Sequence, residues 1–156
     1  MSDVEYNIRD REALASLDRI VAAVPGAAEE ALKAVAETTR TTGQRYLAER
    51  VPGATEEHKR KRHGIVQSYG KPVDGILYKV DGAEANVNIL GDFRLKFFER
   101  GTEARYTKQR IGRAPAYRGL IRPSFFFTTA QKVIAPKIAE ISRIAIDTYL
   151  KQKNAI

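Results

Sequence analysis

Few side chains in this sequence are placed to do chemistry. His58 and His63 flank an unbroken run, Lys59-Arg60-Lys61-Arg62. They have no third ligand and no carboxylate cluster beside them, so they do not form a metal-site pattern. Glu99 follows the aromatic positions Phe93, Phe97 and Phe98. Burial among aromatics could tune it for acid–base work, but the commoner role for such a group is structural, pairing with an arginine or capping a backbone. Glycine-rich phosphate loops, G-x-S-x-G and H-E-x-x-H are absent from the sequence. The chemistry is that of charge and docking. The sequence predicts a protein that is not an enzyme and needs no cofactor or metal.

The charge is concentrated in the stretch from Phe93 to Phe127. Its middle carries Arg100, Arg105, Lys108, Arg110, Arg113, Arg118 and Arg122 against one acid, Glu103. Tyr106, Ile111 and Tyr117 are the few apolar side chains in the middle, and Gly112, Pro115 and Gly119 interrupt any regular ladder. Aromatics at both ends should hold the stretch in the core, with Phe97 or Phe98 buried. A long charged loop between such anchors is usually functional. Residues 103–120 are therefore expected to be mobile and to order only against a partner. Arg105, Tyr106, Lys108, Arg110, Arg113, Tyr117 and Arg118 are its candidate docking residues.

At 156 residues, with 43% hydrophobic and 29% charged residues, the chain suits one soluble domain spanning 1–156. No apolar run approaches the roughly 20 residues of a membrane span, and the N-terminal residues show no secretory pattern. Without cysteine, disulfides and thiol chemistry are excluded. A net charge of +8 and a pI near 9.8 favour polyanions or acidic protein surfaces. The block from His58 to His63 reads either as a solvated loop or as a nucleic-acid patch.

The elements around these residues follow from periodicity. Residues 1–9 are polar and expected to be flexible. Asp10 can cap a short helix carrying Leu14, Leu17, Val21 and Val24, which Pro25-Gly26 should end. A second helix is expected from about Ala27 to Glu49, with a stripe of Ala28, Ala31, Leu32, Val35, Thr39, Thr42 and Tyr46. Val51-Pro52-Gly53 stops it. Ile76, Tyr78 and Val80, then Ala85, Val87 and Ile89, alternate around Asp81-Gly82 as a hairpin. Ile65 and Val66 are expected to begin a third strand beside it. Residues 93–99 fit a strand or a helical turn capped by Asp92 and Gly101. Arg122-Pro123-Ser124 opens a helix with the stripe Ile134, Ile138, Ile141, Ala145 and Tyr149. It should reach about Lys151 and be kinked at Pro136. The fold class expected is α+β: a small antiparallel sheet packed against a long N-terminal and a long C-terminal helix, with a long basic loop.

This order of elements, with Phe97-Phe98-Glu99-Arg100-Gly101-Thr102 and Arg122-Pro123-Ser124-Phe125-Phe126, resembles the head–tail joining, or tail-completion, family of long-tailed bacteriophages. This is the gene-product-ten family of HK-ninety-seven-type phages. The matching positions are Phe97, Phe98, Glu99, Gly101 and Thr102, then Arg122, Pro123 and Phe125 to Phe127, and the resemblance spans about residues 10–150. Two features depart from the family pattern. Val51-Pro52-Gly53-Ala54-Thr55 replaces a Thr-Gly-x-Leu step, and the loop between the motifs is long and basic. The resemblance implies a helical turn over 92–99. It also implies a hexameric ring in the virion neck, between a head-completion or connector protein and the tail tube or tail terminator. The partners it implies are the chain itself, those neighbours, and DNA passing through the lumen without sequence specificity, with no membrane. The composition supports an alternative from another class, a basic nucleic-acid-binding protein.

Overall fold

The computed structural model describes residues 11–108 and 111–153, with side chains from residue 23 onward. The expected flexible start at 1–9 and the cap Asp10 lie outside the described residues. So do Arg110 and the side chains of Leu14, Leu17 and Val21. The architecture is α+β, built among the described residues from long helices and three separate two-stranded antiparallel sheets.

A single helix, α1, runs from Arg11 to Arg50 and passes straight through Pro25. The expected break there does not occur. Proline removes one backbone donor inside a helix, but buried Ala23 and Ala27 lie on either side of it, and tertiary packing outweighs the local cost. Gly26 serves contact rather than termination, because the Tyr149 hydroxyl lies where its Cβ would be. The buried line of α1 is Ala27, Ala31, Ala36, Thr39 and Leu47, whereas Ala28 faces solvent. Small residues along this line let other elements come close. A Cβ on Gly43 would already meet Ile76, Phe127 and Ala130 at 3.4–3.9 Å.

The C-terminal helix is split, as Pro136 requires, into α3 (Phe126–Ile134), a 3₁₀ turn (Ala135–Lys137) and α4 (Ile138–Gln152). Both helices pack on α1. Of the expected stripe, Ile134 is buried, Ile141, Ala145 and Tyr149 are half-buried, and Ile138 is exposed beside the proline.

The first sheet pairs β1 (Lys59–Arg62) with β2 (Ile65–Ser68). The second pairs β3 (Leu77–Asp81) with β4 (Glu84–Asn88). The loop of this second hairpin is Gly82-Ala83, with Gly82 at φ 58°. Its apolar face, Tyr78 and Val80 with Val87, is half-buried on the side that packs on α1. Ile65 and Val66 do not extend this sheet as expected. They pair with the basic block, which is a strand rather than a loop. Neither β1 nor β2 has a buried residue. A strand of four cations has no apolar face to place on a core.

Residues 95–100 form a short helix, α2 (Leu95–Arg100), closed by Gly101 at φ 75°. That settles the open choice between strand and helix. Periodicity alone leaves it open, because Phe93, Leu95 and Phe97 fit both. The core gathers Leu47, Ala54, Ile76, Leu95 and Phe126, with Phe98 and Phe127 packed at its edge. Phe97 and Phe98 are half-buried rather than core, because α2 points Leu95 and Glu99 inward. The aromatic anchors divide in the same way. Phe126 is fully buried, while Phe93 and Phe125 are 62% and 51% exposed.

Candidate functional site

The two halves of the sequence motif meet in space. Glu99 is buried on α2, and its carboxylate accepts hydrogen bonds from the backbone N–H of Phe127 (2.8 Å) and Thr128 (3.0 Å) and from the Thr128 hydroxyl. It therefore caps the open N-terminus of α3 from a distant part of the chain, where free amides and the helix dipole favour a negative charge. Of the two roles open to this residue, the structure shows the structural one. No loop arginine is among its hydrogen-bond or ion-pair partners within the described residues.

Other bonds lock the same junction. The Ser124 backbone N–H and hydroxyl both donate to the Phe98 carbonyl, at 2.8 and 2.7 Å. The Phe125 N–H donates to the Glu99 carbonyl at 3.2 Å. Gly101 is required by space as well as by its φ, since a Cβ there would lie 2.7 Å from the Ile121 carbonyl and 2.9 Å from Pro123. Phe125 sits in the left-handed region at φ 49°, a conformation that costs a non-glycine residue about 1–2 kcal/mol. The surroundings enforce it. Arg50 donates from one guanidinium nitrogen to the carbonyls of Ser124 (2.8 Å) and Phe125 (3.3 Å) and to the Thr129 hydroxyl (2.8 Å). Thr128 and Arg50 are missing from the motif as read in the sequence, and Ser124 stands within it but is not one of its matching positions. Arg122-Pro123-Ser124 reads in the sequence as the step into the last helix, but nothing in the sequence near Arg50 points to a partner some 75 residues on.

The basic stretch leaves this junction as a hairpin. Thr102 N–H donates to the Ile121 carbonyl (2.8 Å), and Ile121 N–H returns a bond to the Thr102 hydroxyl (3.1 Å). Beyond that tie, β5 (Arg105–Tyr106) pairs with β6 (Tyr117–Gly119) across a register irregularity. The glycines and proline, expected to interrupt any regular ladder, leave a short, irregular one. Thr107 continues it, bonding Ala116 through both backbone and hydroxyl. Tyr106 and Tyr117 face each other with ring centroids 5.5 Å apart, and both are exposed.

The predicted docking residues Arg105, Tyr106, Lys108, Arg113, Tyr117 and Arg118 all lie on this arm and face solvent. Lys108, Arg113 and Arg118 line one hollow of about 470 Å³ together with Thr107, Ala114 and Ala116. Ile111 at the turn is fully exposed. The motif residues Gly101, Thr102 and Pro123 hold the base of the arm, and Arg122 beside them is exposed.

A second clamp holds the other basic hairpin. The Asp92 carboxylate is buried and accepts from the Arg94 backbone N–H (2.9 Å) and from its Nε (2.9 and 3.0 Å). Burial alone would push the Asp92 carboxyl up, but the hydrogen bonds and charge of Arg94 outweigh it and hold the group below the usual carboxylate range. Arg94 then donates to the Gly70 carbonyl at 3.2 Å, at the foot of the β1–β2 hairpin.

Among the described residues, no group of three or more His, Cys, Asp or Glu is arranged to hold a metal ion. No described helix is long and apolar enough to cross a membrane. Comparison with family models, with curated proteins and with solved structures finds no match for this chain.

Proposed function

We propose that the chain is a structural protein of a long-tailed phage virion, a tail-completion or neck protein. It forms a ring, hexameric as the sequence resemblance implies, between the head connector and the tail tube. The observation that carries this reading is the β5–β6 arm. Its described basic residues are exposed, yet it is rooted in a junction that includes buried Glu99 and Phe126 and is built largely from the residues that carry the resemblance. Such an arm suits presentation of a basic surface to another protein from a stable body. Repeated by rotational symmetry, it becomes a ring of basic arms facing the next layer of the neck. Its arginines would meet acidic groups there and steer docking more than fix affinity. Tyr106, Tyr117 and Ile111 would supply the apolar area that is buried on contact.

The test is a phage that encodes the chain with Arg113→Glu and Arg118→Glu. Filled heads and finished tails should accumulate unjoined, counted separately by electron microscopy. Normal joining would remove the arm from the docking surface. The chain's gene should also lie among portal, capsid and tail-tube genes, and a locus without them would sink the reading.

A further inference from the structure

The β1–β2 hairpin has no part in the junction just described, and its geometry raises a separate question. Every residue from Thr55 to Lys71 is exposed. The hairpin is nonetheless well defined. The His58 N–H donates to the Gly70 carbonyl (3.1 Å), the Tyr69 N–H donates to the His58 carbonyl (2.8 Å), and the rings of His58 and Tyr69 lie 5.8 Å apart. The turn is His63-Gly64, with φ 50° and 81°. Positive φ at both central residues is what a tight two-residue hairpin turn demands.

The register sorts the side chains. Residues directly opposite share a face, and neighbours along a strand alternate. The pairs are Lys59 with Ser68, Arg60 with Gln67, Lys61 with Val66, and Arg62 with Ile65. One face therefore carries Lys59, Lys61, Val66 and Ser68, and the other Arg60, Arg62, Ile65 and Gln67. Each face has two cations on one strand and one exposed aliphatic residue near the tip. Glu57 pairs with Lys59 at 3.1 Å. Arg60, Lys61 and Arg62 have no acidic partner among the described residues. Like charges two apart on a strand repel, so folding alone gains nothing from this arrangement.

An acidic protein surface is one-sided and would neutralise one face of the ribbon. A nucleic-acid duplex offers two phosphate walls. Its major groove is about 12 Å wide and admits a two-stranded ribbon, whose strands are about 4.8 Å apart. Cations on both faces match two walls. We propose that the β1–β2 hairpin is a duplex-DNA-binding arm that enters the major groove. Lys59 and Lys61 contact one phosphate strand, and Arg60 and Arg62 contact the other. The contacts are to backbone phosphates, so binding is independent of base sequence. The proposal does not depend on the ring reading.

The experiment measures binding of the full chain to a short mixed-sequence DNA duplex by fluorescence anisotropy, from roughly 50 to 200 mM salt. Two double variants are compared with the parent, Lys59→Gln with Lys61→Gln and Arg60→Gln with Arg62→Gln. Each should weaken binding at least about tenfold at low salt and flatten the slope of log affinity against log salt by about 1.8, the loss of two phosphate contacts. Unchanged melting curves would show that both variants fold, as exposed positions should allow. Arg113→Glu with Arg118→Glu, on the other arm, should retain the slope lost by these variants. The proposal fails if the parent does not bind the duplex, or if neither double variant changes the slope. It also fails if only one face matters, or if polyglutamate competes as well as DNA. The last two outcomes would assign the hairpin to an acidic protein instead.

Discussion

The two basic hairpins carry similar charge on different frameworks. The β1–β2 hairpin has a two-residue turn, a regular register and cations on both faces. The β5–β6 hairpin is irregular, has a longer turn, and gathers Lys108, Arg113 and Arg118 around a hollow. Each is rooted by a buried carboxylate. Glu99 caps α3 beside the foot of one, and Asp92 holds Arg94 against the foot of the other. Stability in this chain is thus concentrated at the roots, while the arms are free to carry repelling charge. A ribbon with two charged faces suits a groove, and an arm with one charged hollow suits a surface. Mutations at the roots should unfold, and mutations on the arms should only unbind.

The largest effect should come from Phe126, which is fully buried where α3 begins. Phe126→Ala should cost about 3–5 kcal/mol, by lost transfer energy and the cavity left behind. Phe125→Ala, next to it but half exposed, should cost much less. Chemical denaturation of both variants checks the contrast. Equal losses would mean that the root of the β5–β6 arm is not organised as described. Next comes Glu99→Ala. It strips the cap from α3 and leaves the Phe127 and Thr128 amides without their partner, which should cost about 2–4 kcal/mol. Glu99→Gln keeps one acceptor oxygen and should recover part of that loss. If both variants melted like the parent, the junction would be a consequence of the fold and not one of its supports.

The root of the β1–β2 hairpin should be weaker and should show itself through pH. Asp92 titrates lower in the folded chain than its ordinary value near 3.8. Its contribution is therefore present above about pH 4, the unfolded value. It is lost as pH falls through the lower, folded value. Asp92→Asn leaves the partly buried Arg94 without its ionic partner. It should lower the melting temperature at neutral pH, and the gap to the parent should narrow below pH 4. A gap that stays constant down to pH 2.5, roughly the lower end of an acid titration, would show that the carboxylate contributes by shape and not by charge.

Much of this organisation was legible in the residues. The paired apolar alternations of β3 and β4, the proline step between α3 and α4, and the glycine after α2 each report a local rule, and the fold obeys it. Three misreadings share one cause. Pro25 reads as a stop, Ile65 and Val66 read as the start of a third strand beside β3 and β4, and one of Phe97 and Phe98 reads as core. In each case a local preference is overridden by what packs against it. Flanking burial carries α1 through Pro25, the cationic partner strand keeps β2 off the core, and Leu95 and Glu99 take the inward positions of α2. The exposure of Arg105, Lys108, Arg113 and Arg118 was legible because charge without compensation is visible in sequence. The clamps were not, since Glu99 with Thr128, Arg50 with Ser124, and Arg94 with Gly70 join positions that only the folded chain brings together.

The smallest effect on stability is expected on the arms, and it separates the two halves of the comparison most cleanly. Arg113 and Arg118 are exposed and are without an ion-pair partner among the described residues. Reversing both to Glu should change folding free energy by no more than about 0.5 kcal/mol. If anything the change should be favourable, because it relieves repulsion with Arg105 and Lys108. The same substitution lowers the net charge from +8 to +4, since each Arg→Glu change removes two charges. Denaturation in low and high salt checks this. The variant should match the parent at high salt, where surface charges are screened, and equal or exceed it at low salt. A clear loss of stability at both would mean that these arginines brace the β5–β6 hairpin. The arm would then be part of the body it stands on, and its charge would need no partner to explain it.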